Sequence, residues 1–353
     1  MQFGFRADAS ATIGIGHIMR CLTLAKRLSR AGHQCHFFCC PLPGNIEQLI
    51  SGNGFEVSIL PAGELATTAD QIKDAANVAE LVNGHLPTGF DWIIVDHYKL
   101  SRPWGCAIRS CCRQVAVIDD LADRVHDCEL LLDQNLYDNE QARYTELVPA
   151  GCKTFLGSRY ALLRDEFYEL TVDRSRARTG VKHLVISFGG ADSNDETSKC
   201  LEALSGINGP ELKVSVVVGG ANPRKEKIMA LCAANANFTY YCQIDFMAQL
   251  MNSADLFIGA GGTTTWERCY LRLPSITLVI ADNQRETTEV LARRGGTLNL
   301  GWAADVTKEQ LRSAILSMMN SSTAMDEMRA SLEDLACGEG TDEIIAALTK
   351  ASK

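Results

Sequence analysis

Short apolar runs separated by stretches of helical periodicity make up the first part of the chain. Candidate strands fall at 3–7, 34–40, 56–60, 92–95, 115–118 and 130–132, with helical spacing at 18–30, 45–51, 70–82 and 102–112. The strand runs lack a polar alternating face, which suits a parallel sheet covered by helices on both sides. The pattern loosens between 135 and 182, where a charged, helix-breaking stretch at 173–180 marks a domain junction. A second run follows, with strands at 183–187, 213–218, 238–242, 256–258, 275–279 and 297–300. Helices at 196–204, 224–234, 244–252, 265–271 and 284–293 separate them, and three more at 308–319, 324–336 and 341–348 close the chain. The expected architecture is α/β, with two doubly wound Rossmann-like domains facing each other across a cleft. Their expected bounds are 1–155 and 182–353 with a linker region at 156–181, and the terminal helix could return to the first domain. In such folds ligands bind outside the carboxyl ends of the strands.

Charge and cysteine usage narrow the function classes. The net charge of −9 argues against general affinity for nucleic acid or anionic membranes, so any phosphate must be held by local amides and helix ends. No apolar run is long enough to span a membrane, and no export signal precedes the first strand, so a cytoplasmic, monomeric protein with reduced thiols is expected. Fourteen cysteines call for a metal test. Cys35, Cys39 and Cys40 with His33 and His36 crowd one segment, but successive strand side chains point to opposite faces and cannot converge on one ion. Cys106, Cys111 and Cys112 fall on a helix-like stretch without a CxxC pair, and are read as small buried hydrophobes. Neither a metal nor a cofactor is expected.

Glycines cluster where the strands end. Gly14-Ile-Gly16 follows the first strand and leads into His17 at the start of a helix, so backbone amides, a helix dipole and an imidazole converge where an anion would sit. A dinucleotide fingerprint would need a third glycine near Arg20 and an acidic end to the next strand, which instead ends in Cys39-Cys40-Pro41. In the second half, Ser187-Phe-Gly189-Gly190 and Gly259-Ala-Gly261-Gly262-Thr263 each lie between a strand and a helix, and Gly219-Gly220 ends a third strand. Two such turns opening on helix N-termini make a diphosphate cradle.

One combination is more specific. The pattern Arg6-x-Asp8-x-Ser10-x-x-Ile13-Gly14-x-Gly16-His17-x-x-Arg20 resembles the opening signature of the UDP-sugar hydrolases of pseudaminic acid biosynthesis. Asp96-His97-Tyr98, the stretch from Gly157 through Tyr160 and Arg164 to Phe167, Ser187-Phe-Gly-Gly190-x-Asp192, Gly261-Gly262-Thr263-x-x-x-Glu267 and Asn283-Gln284 match as well. The likeness covers nearly the whole chain. It implies a GT-B fold related to MurG, the UDP-GlcNAc glycosyltransferase of peptidoglycan synthesis. It also implies metal-independent hydrolysis of UDP-2,4-diacetamido-2,4,6-trideoxy-β-L-altropyranose to UDP and the free sugar.

On that reading His17 is the general base that activates water for attack on the anomeric carbon, with inversion. Asp8 could orient its ring, or serve only to stabilise a turn. Tyr98 could bond the sugar or the water, with His97 a rival base beside it, or could pack over the sheet edge. Glu267 suits the ribose hydroxyls, as a Glu does in MurG-like folds, against a solvated helix surface otherwise. Asn283 and Gln284 could address N-acetyl groups or phosphate, or cap their helix. Arg164 could reach the substrate from the junction, or form an interdomain salt bridge. Gly14, Gly16, Ser187, Gly189, Gly190, Gly261, Gly262 and Thr263 would line the nucleotide and phosphate site. A MurG-like transferase, a non-catalytic nucleotide-sugar binder and a 2-epimerase of the same fold stay open as alternatives. A binder needs no base beside the anomeric carbon, and a transferase needs an acceptor or membrane-docking surface.

Overall fold

In the computed structural model the described residues are 1–8, 16–41, 46–85, 88–171, 180–207 and 212–350. They fall into two compact units, Met1–Leu162 with Gly338–Lys353, and Leu163–Cys337. Compared with the expected bounds, the first division lies between Leu162 and Leu163, and the chain leaves the second unit again after Cys337.

The first unit holds β1 (Gln2–Ala7), β2 (Gln34–Cys39), β3 (Glu56–Ile59), β4 (Phe90–Asp96), β5 (Cys112–Ile118), β6 (Leu130–Asp133) and β7 (Lys153–Leu156). All pair in parallel, in the order β3-β2-β1-β4-β5-β6-β7. Its helices are α1 (Gly16–Arg30), α2 (Ile46–Gly52), α3 (Thr68–His85) and α4 (Arg102–Ile108). Two readings needed correction. The helix expected at 102–112 ends at Ile108, and Cys112 opens β5 instead. The four-residue β7 lies in the stretch read as irregular, where only Phe155 and Leu156 of its residues are apolar.

The apolar strands are covered on both faces, as their composition requires. Ile18, Cys21, Leu22, Ala25 and Leu28 of α1 pack with Phe3 and Phe5 of β1 in one cluster. Ala75, Val78 and Val82 of α3 and Trp104 and Ile108 of α4 pack with Ile93, Val95, Val115 and Val117 in the other.

The second unit begins with α5 (Asp165–Tyr168) and is built on β8 (His183–Ser187), β9 (Lys213–Val218), β10 (Phe238–Cys242), β11 (Leu256–Ala260), β12 (Ser275–Val279) and β13 (Leu298–Trp302). The parallel order is β10-β9-β8-β11-β12-β13. Around it lie α6 (Glu196–Leu204), α7 (Lys225–Ala233), α8 (Met247–Ser253), α9 (Thr264–Tyr270), α10 (Asp282–Arg293), α11 (Lys308–Asn320) and α12 (Ser322–Glu333). A capping box at Thr307 and Gln310 starts α11.

The last helix, α13 (Thr341–Thr349), belongs to the first unit. Its Ile344 and Leu348 are fully buried in the cluster containing Phe3, Phe5 and α1. Gly340 lets the chain enter α13 against Tyr160, where a Cβ would lie 2.5 Å from the ring. All fourteen cysteines are free thiols. Of those weighed as metal ligands, Cys39, Cys40 and Cys111 are buried, Cys35 and Cys112 half-buried and Cys106 exposed. No described helix is long and apolar enough to cross a membrane.

Because α13 completes a core rather than covering a surface, Ile344→Ala should lower the stability of the first unit by about 2–5 kcal/mol. Denaturant unfolding followed by a probe in that unit checks this. An unchanged midpoint would mean that α13 contributes no core.

Candidate active site

Strand order in the first unit reverses between β1 and β4, and doubly wound sheets open a crevice at such a point. Residues 9–15, which follow β1 and include Gly14, Ser10 and Ile13, lie outside the described residues. Gly16 opens α1 and places His17 in its first turn. The pairing of Ala7 with Asp96 brings the end of β4 level with the end of β1. There His17 Nδ1 bonds Asp96 Oδ1. Arg20 lies three residues on along the same helix face and clamps the same carboxylate, through Nε to Oδ2 and Nη2 to Oδ1 at 2.7 Å. Its remaining nitrogen, Nη1, reaches Asp120 Oδ2 at 3.2 Å, and the Tyr98 hydroxyl donates to that oxygen at 3.4 Å. The Tyr98 ring meets the imidazole edge-on, with centroids 4.4 Å apart.

This arrangement assigns the tautomer. Burial alone would raise the Asp96 carboxyl, but the Arg20 guanidinium and the His17 ring outweigh it and hold it well below the usual carboxylate range. An ionised carboxylate only accepts, so Nδ1 carries the proton and Nε2 the lone pair. Among the described residues no group bonds Nε2. An imidazole held this way can take a proton from a bound hydroxyl or water.

Asp8 does not orient His17. Its carboxylate is taken by Arg6 at 2.7 Å, by the Cys40 amide at 2.7 Å and by His97 Nε2 at 3.3 Å. The physical reason is Arg6, wholly buried and paired bidentately with Asp74, which draws Asp8 to its own side of the strand end. His97 is removed as a rival base by the same contacts. Its Nδ1 accepts from the Lys99 amide at 3.0 Å, so Nε2 must donate to Asp8, and burial pushes the ring's pKa down.

A third carboxylate group lies behind this cluster. Tyr144 has one hydroxyl proton but stands 3.0 Å from both Asp119 Oδ2 and Asp133 Oδ2. Burial first, and then the charge of Asp120, push the Asp133 carboxyl up to about 7. Near neutrality Asp133 is therefore part protonated, and only its protonated form can donate to the phenol oxygen while Tyr144 donates to Asp119.

In the second unit the strand order reverses between β8 and β11, so the two glycine loops follow the two strands at the switch point. Their strands pack so closely that a Cβ on Gly259 would lie 2.2 Å from the Ser187 carbonyl oxygen. Gly189 adopts φ +81°, and nothing lies within 4 Å of where a Cβ would sit on Gly189 or Gly190, so this backbone is open to close approach. The helix beyond it is not open. The Asp192 carboxylate accepts from the Glu196 and Thr197 amides at 2.9 and 3.0 Å and closes the start of α6. The expectation that amides there are offered to a diphosphate is corrected accordingly. No side chain caps α9, which follows Gly261, Gly262 and the exposed Thr263. Gly261 is a packing glycine, since a Cβ there would lie 2.2 Å from Thr288 Oγ1 on α10.

Glu267 is not a solvated helix residue, being only 8% exposed. Arg164 donates to both its oxygens, from Nε at 2.7 Å and Nη2 at 3.0 Å, and Arg164 Nη1 pairs with Glu166 at 2.8 Å. Arg164 thus belongs to a salt bridge within the second unit rather than between domains. Asn283 is exposed in the first turn of α10, while Gln284 accepts from the Ile280 amide at 3.2 Å, a local bond of the capping kind. No group of three or more His, Cys, Asp or Glu among the described residues could hold a metal ion.

Sequence reading missed Asp96 as the partner of His17, and missed the clamp by Arg20 and its link to Asp120. The signal available was the three-residue spacing from His17 to Arg20 together with an acid ending an apolar strand.

Comparison with known proteins agrees with this architecture. Residues 183–337 match the glycosyltransferase family 28 C-terminal domain. The chain is 27% identical, over 84% of its length and 97% of the relative's, to the UDP-2,4-diacetamido-2,4,6-trideoxy-β-L-altropyranose hydrolase of Campylobacter jejuni. It is 24% identical to the spore coat polysaccharide biosynthesis protein SpsG of Bacillus subtilis, over 57% of this chain and 59% of that one. Among solved structures, Acinetobacter baumannii MurG superposes with a TM-score of 0.69 at 18% identity, covering 99% of this chain and 100% of its own. The fold is therefore GT-B.

Asp133 gives this cluster a pH signature. Its folded pKa of about 7 lies above the unfolded value of about 4, so the native state binds the proton more tightly. The resulting stabilisation is complete below about pH 4 and is lost as pH rises through about 7. Asp133→Asn keeps a neutral, hydrogen-bonding side chain and should flatten that slope, leaving the variant more stable than wild type at pH 8. Denaturant titrations across this range check it. Parallel slopes for the two proteins would show that Asp133 does not carry the proton.

Proposed function

We propose that the protein hydrolyses a UDP-sugar to UDP and the free sugar, as its likeness to the Campylobacter jejuni enzyme suggests. The substrate of this reading is UDP-2,4-diacetamido-2,4,6-trideoxy-β-L-altropyranose, within pseudaminic acid biosynthesis. The observation that carries it is the buried His17–Asp96 dyad, with the proton on Nδ1 and Nε2 left to accept one. In the proposed step His17 Nε2 takes a proton from water as its oxygen bonds the anomeric carbon. The bond from that carbon to the phosphate oxygen breaks, UDP departs with the electron pair, and the configuration inverts. Asp96 stabilises the imidazolium that forms, and Tyr98 is placed to bond the sugar or the water.

The nucleotide falls to the second unit on this reading. Glu267 accepts from the ribose hydroxyls, for which each oxygen keeps a lone pair while it holds Arg164. Arg164 then keeps that carboxylate charged and fixed rather than touching the sugar. Asn283 on α10 and the open backbone of Gly189 and Gly190 are the contacts proposed for the remaining polar groups.

A second reading is favoured by the family 28 match and the MurG likeness, in which the acceptor is a hydroxyl of another molecule. The same dyad would deprotonate it. Incubating the protein with the UDP-sugar alone in water enriched in heavy oxygen separates the two. Hydrolysis puts the label on the sugar C1, with UDP unlabelled. Label in UDP would mean attack on phosphorus, and no turnover without an added acceptor would favour transfer.

His17→Asn should lower turnover by roughly 100- to 10,000-fold while UDP affinity changes little, because the base alone is removed. Equal loss of rate and UDP affinity would show that His17 holds the nucleotide instead. Glu267→Ala should weaken UDP inhibition by about ten- to hundredfold, the worth of a charge-assisted hydrogen bond. An unchanged inhibition constant would take Glu267 out of the nucleotide site.

A further inference from the structure

Arg268 presents an electrostatic problem that the reading above leaves unsolved. It is 1% exposed, and its guanidinium contacts neutral groups only. Nη1 donates to the Ala260 carbonyl at 3.1 Å, and Nη2 to Thr265 Oγ1 at 3.0 Å and Thr277 Oγ1 at 3.2 Å. Its carbon lies 4.9 Å from the centre of the Phe257 ring. The adjacent Glu267 is engaged by Arg164 through both oxygens, so Arg268 has no carboxylate in contact. Burying a cation with no carboxylate in hydrogen-bond contact is costly, and burial pulls this guanidinium down to about 10 even though the nearby Glu267 charge acts the other way.

The place of this charge is informative. Ala260 is the last residue of β11, at the point where the strand order reverses, and the next two residues are Gly261 and Gly262. Of the two loops at that point, the one after β8 carries its own anion, since Asp192 closes the start of α6. The one after β11 has a buried cation behind it. The hydroxyls of Thr277, Thr297 and Ser275 form a buried chain that fixes Arg268 in place, with contacts of 2.7 and 2.9 Å.

We infer that Arg268 supplies the fixed positive charge for the diphosphate of the bound nucleotide, acting through the loop after β11. It is a positioning residue, which holds the Ala260 carbonyl turned inward and lends its field to an anion on the far side of the loop. The inference rests on the nucleotide reading and adds which loop takes the phosphates.

Calorimetric binding of uridine and UDP to the whole protein, to Arg268→Gln and to Arg268→Lys tests this. Arg268→Gln should lose about tenfold or more in UDP affinity and keep its affinity for uridine, since only the charged part of the ligand feels the guanidinium. Arg268→Lys retains the charge and should retain most UDP affinity. A purely structural role would weaken uridine and UDP alike, and would make Lys as damaging as Gln; either result overturns the inference, as does unchanged UDP affinity in Arg268→Gln. Should Arg268→Gln not fold, Arg268→Lys decides, because loss of UDP with uridine kept would show that charge at this position is not what holds the phosphates. Wild-type protein that binds neither ligand would overturn the nucleotide reading itself, and the inference with it.

Discussion

Asp96 is the group on which the first unit's chemistry and stability both depend. It is wholly buried, ends a central strand, and is shared between His17 and Arg20 on one helix. A carboxylate in that position is tolerable only because Arg20 pays its desolvation, and Arg20 is tolerable only because Asp96 and Asp120 receive it. Removing one partner of such a pair costs about 3–5 kcal/mol, more than the dyad hydrogen bond itself is worth. The network therefore fixes the end of β4 against the start of α1 whether or not a substrate is present. Orientation of the imidazole follows from that constraint at no further cost in side-chain freedom.

Both sheets repeat one solution. Each reverses its strand order once, and each places its chemically distinctive residues on the two strands beside the reversal. In the first unit the carboxylate that ends β4 meets an imidazole on α1, the helix that follows the neighbouring strand β1. In the second, two glycine loops stand side by side, and their strands approach too closely for a side chain at Gly259. They differ in sign, since Asp192 lies at one and Arg268 at the other.

Much of the fold was legible because parallel strands buried on both faces leave continuous apolar runs, and those from 183 to 279 match the structure closely. Two features escaped: β7 has only two apolar residues, Phe155 and Leu156, and nothing local tells Cys112 that the helix has ended. Side-chain pairing was less legible than position. Asp8 and Asp96 both end strands beside His17, and which of them meets the ring depends on where Arg6 and Arg20 draw the carboxylates. These are contacts between residues far apart in sequence. Likewise Asp192 looked like part of an open phosphate loop until its carboxylate proved to be spent on the amides of α6.

The return of α13 sets an order of assembly. Residues 163–337 form a unit whose contacts are all available once they have been made, whereas the core around Phe3, Phe5 and α1 lacks Ile344 and Leu348 until synthesis has passed beyond it. On the ribosome, then, the segment made first is finished last. The half that carries His17 waits with an incomplete apolar face while the other half folds, and this interval is when the nascent chain is most exposed to aggregation and to chaperones.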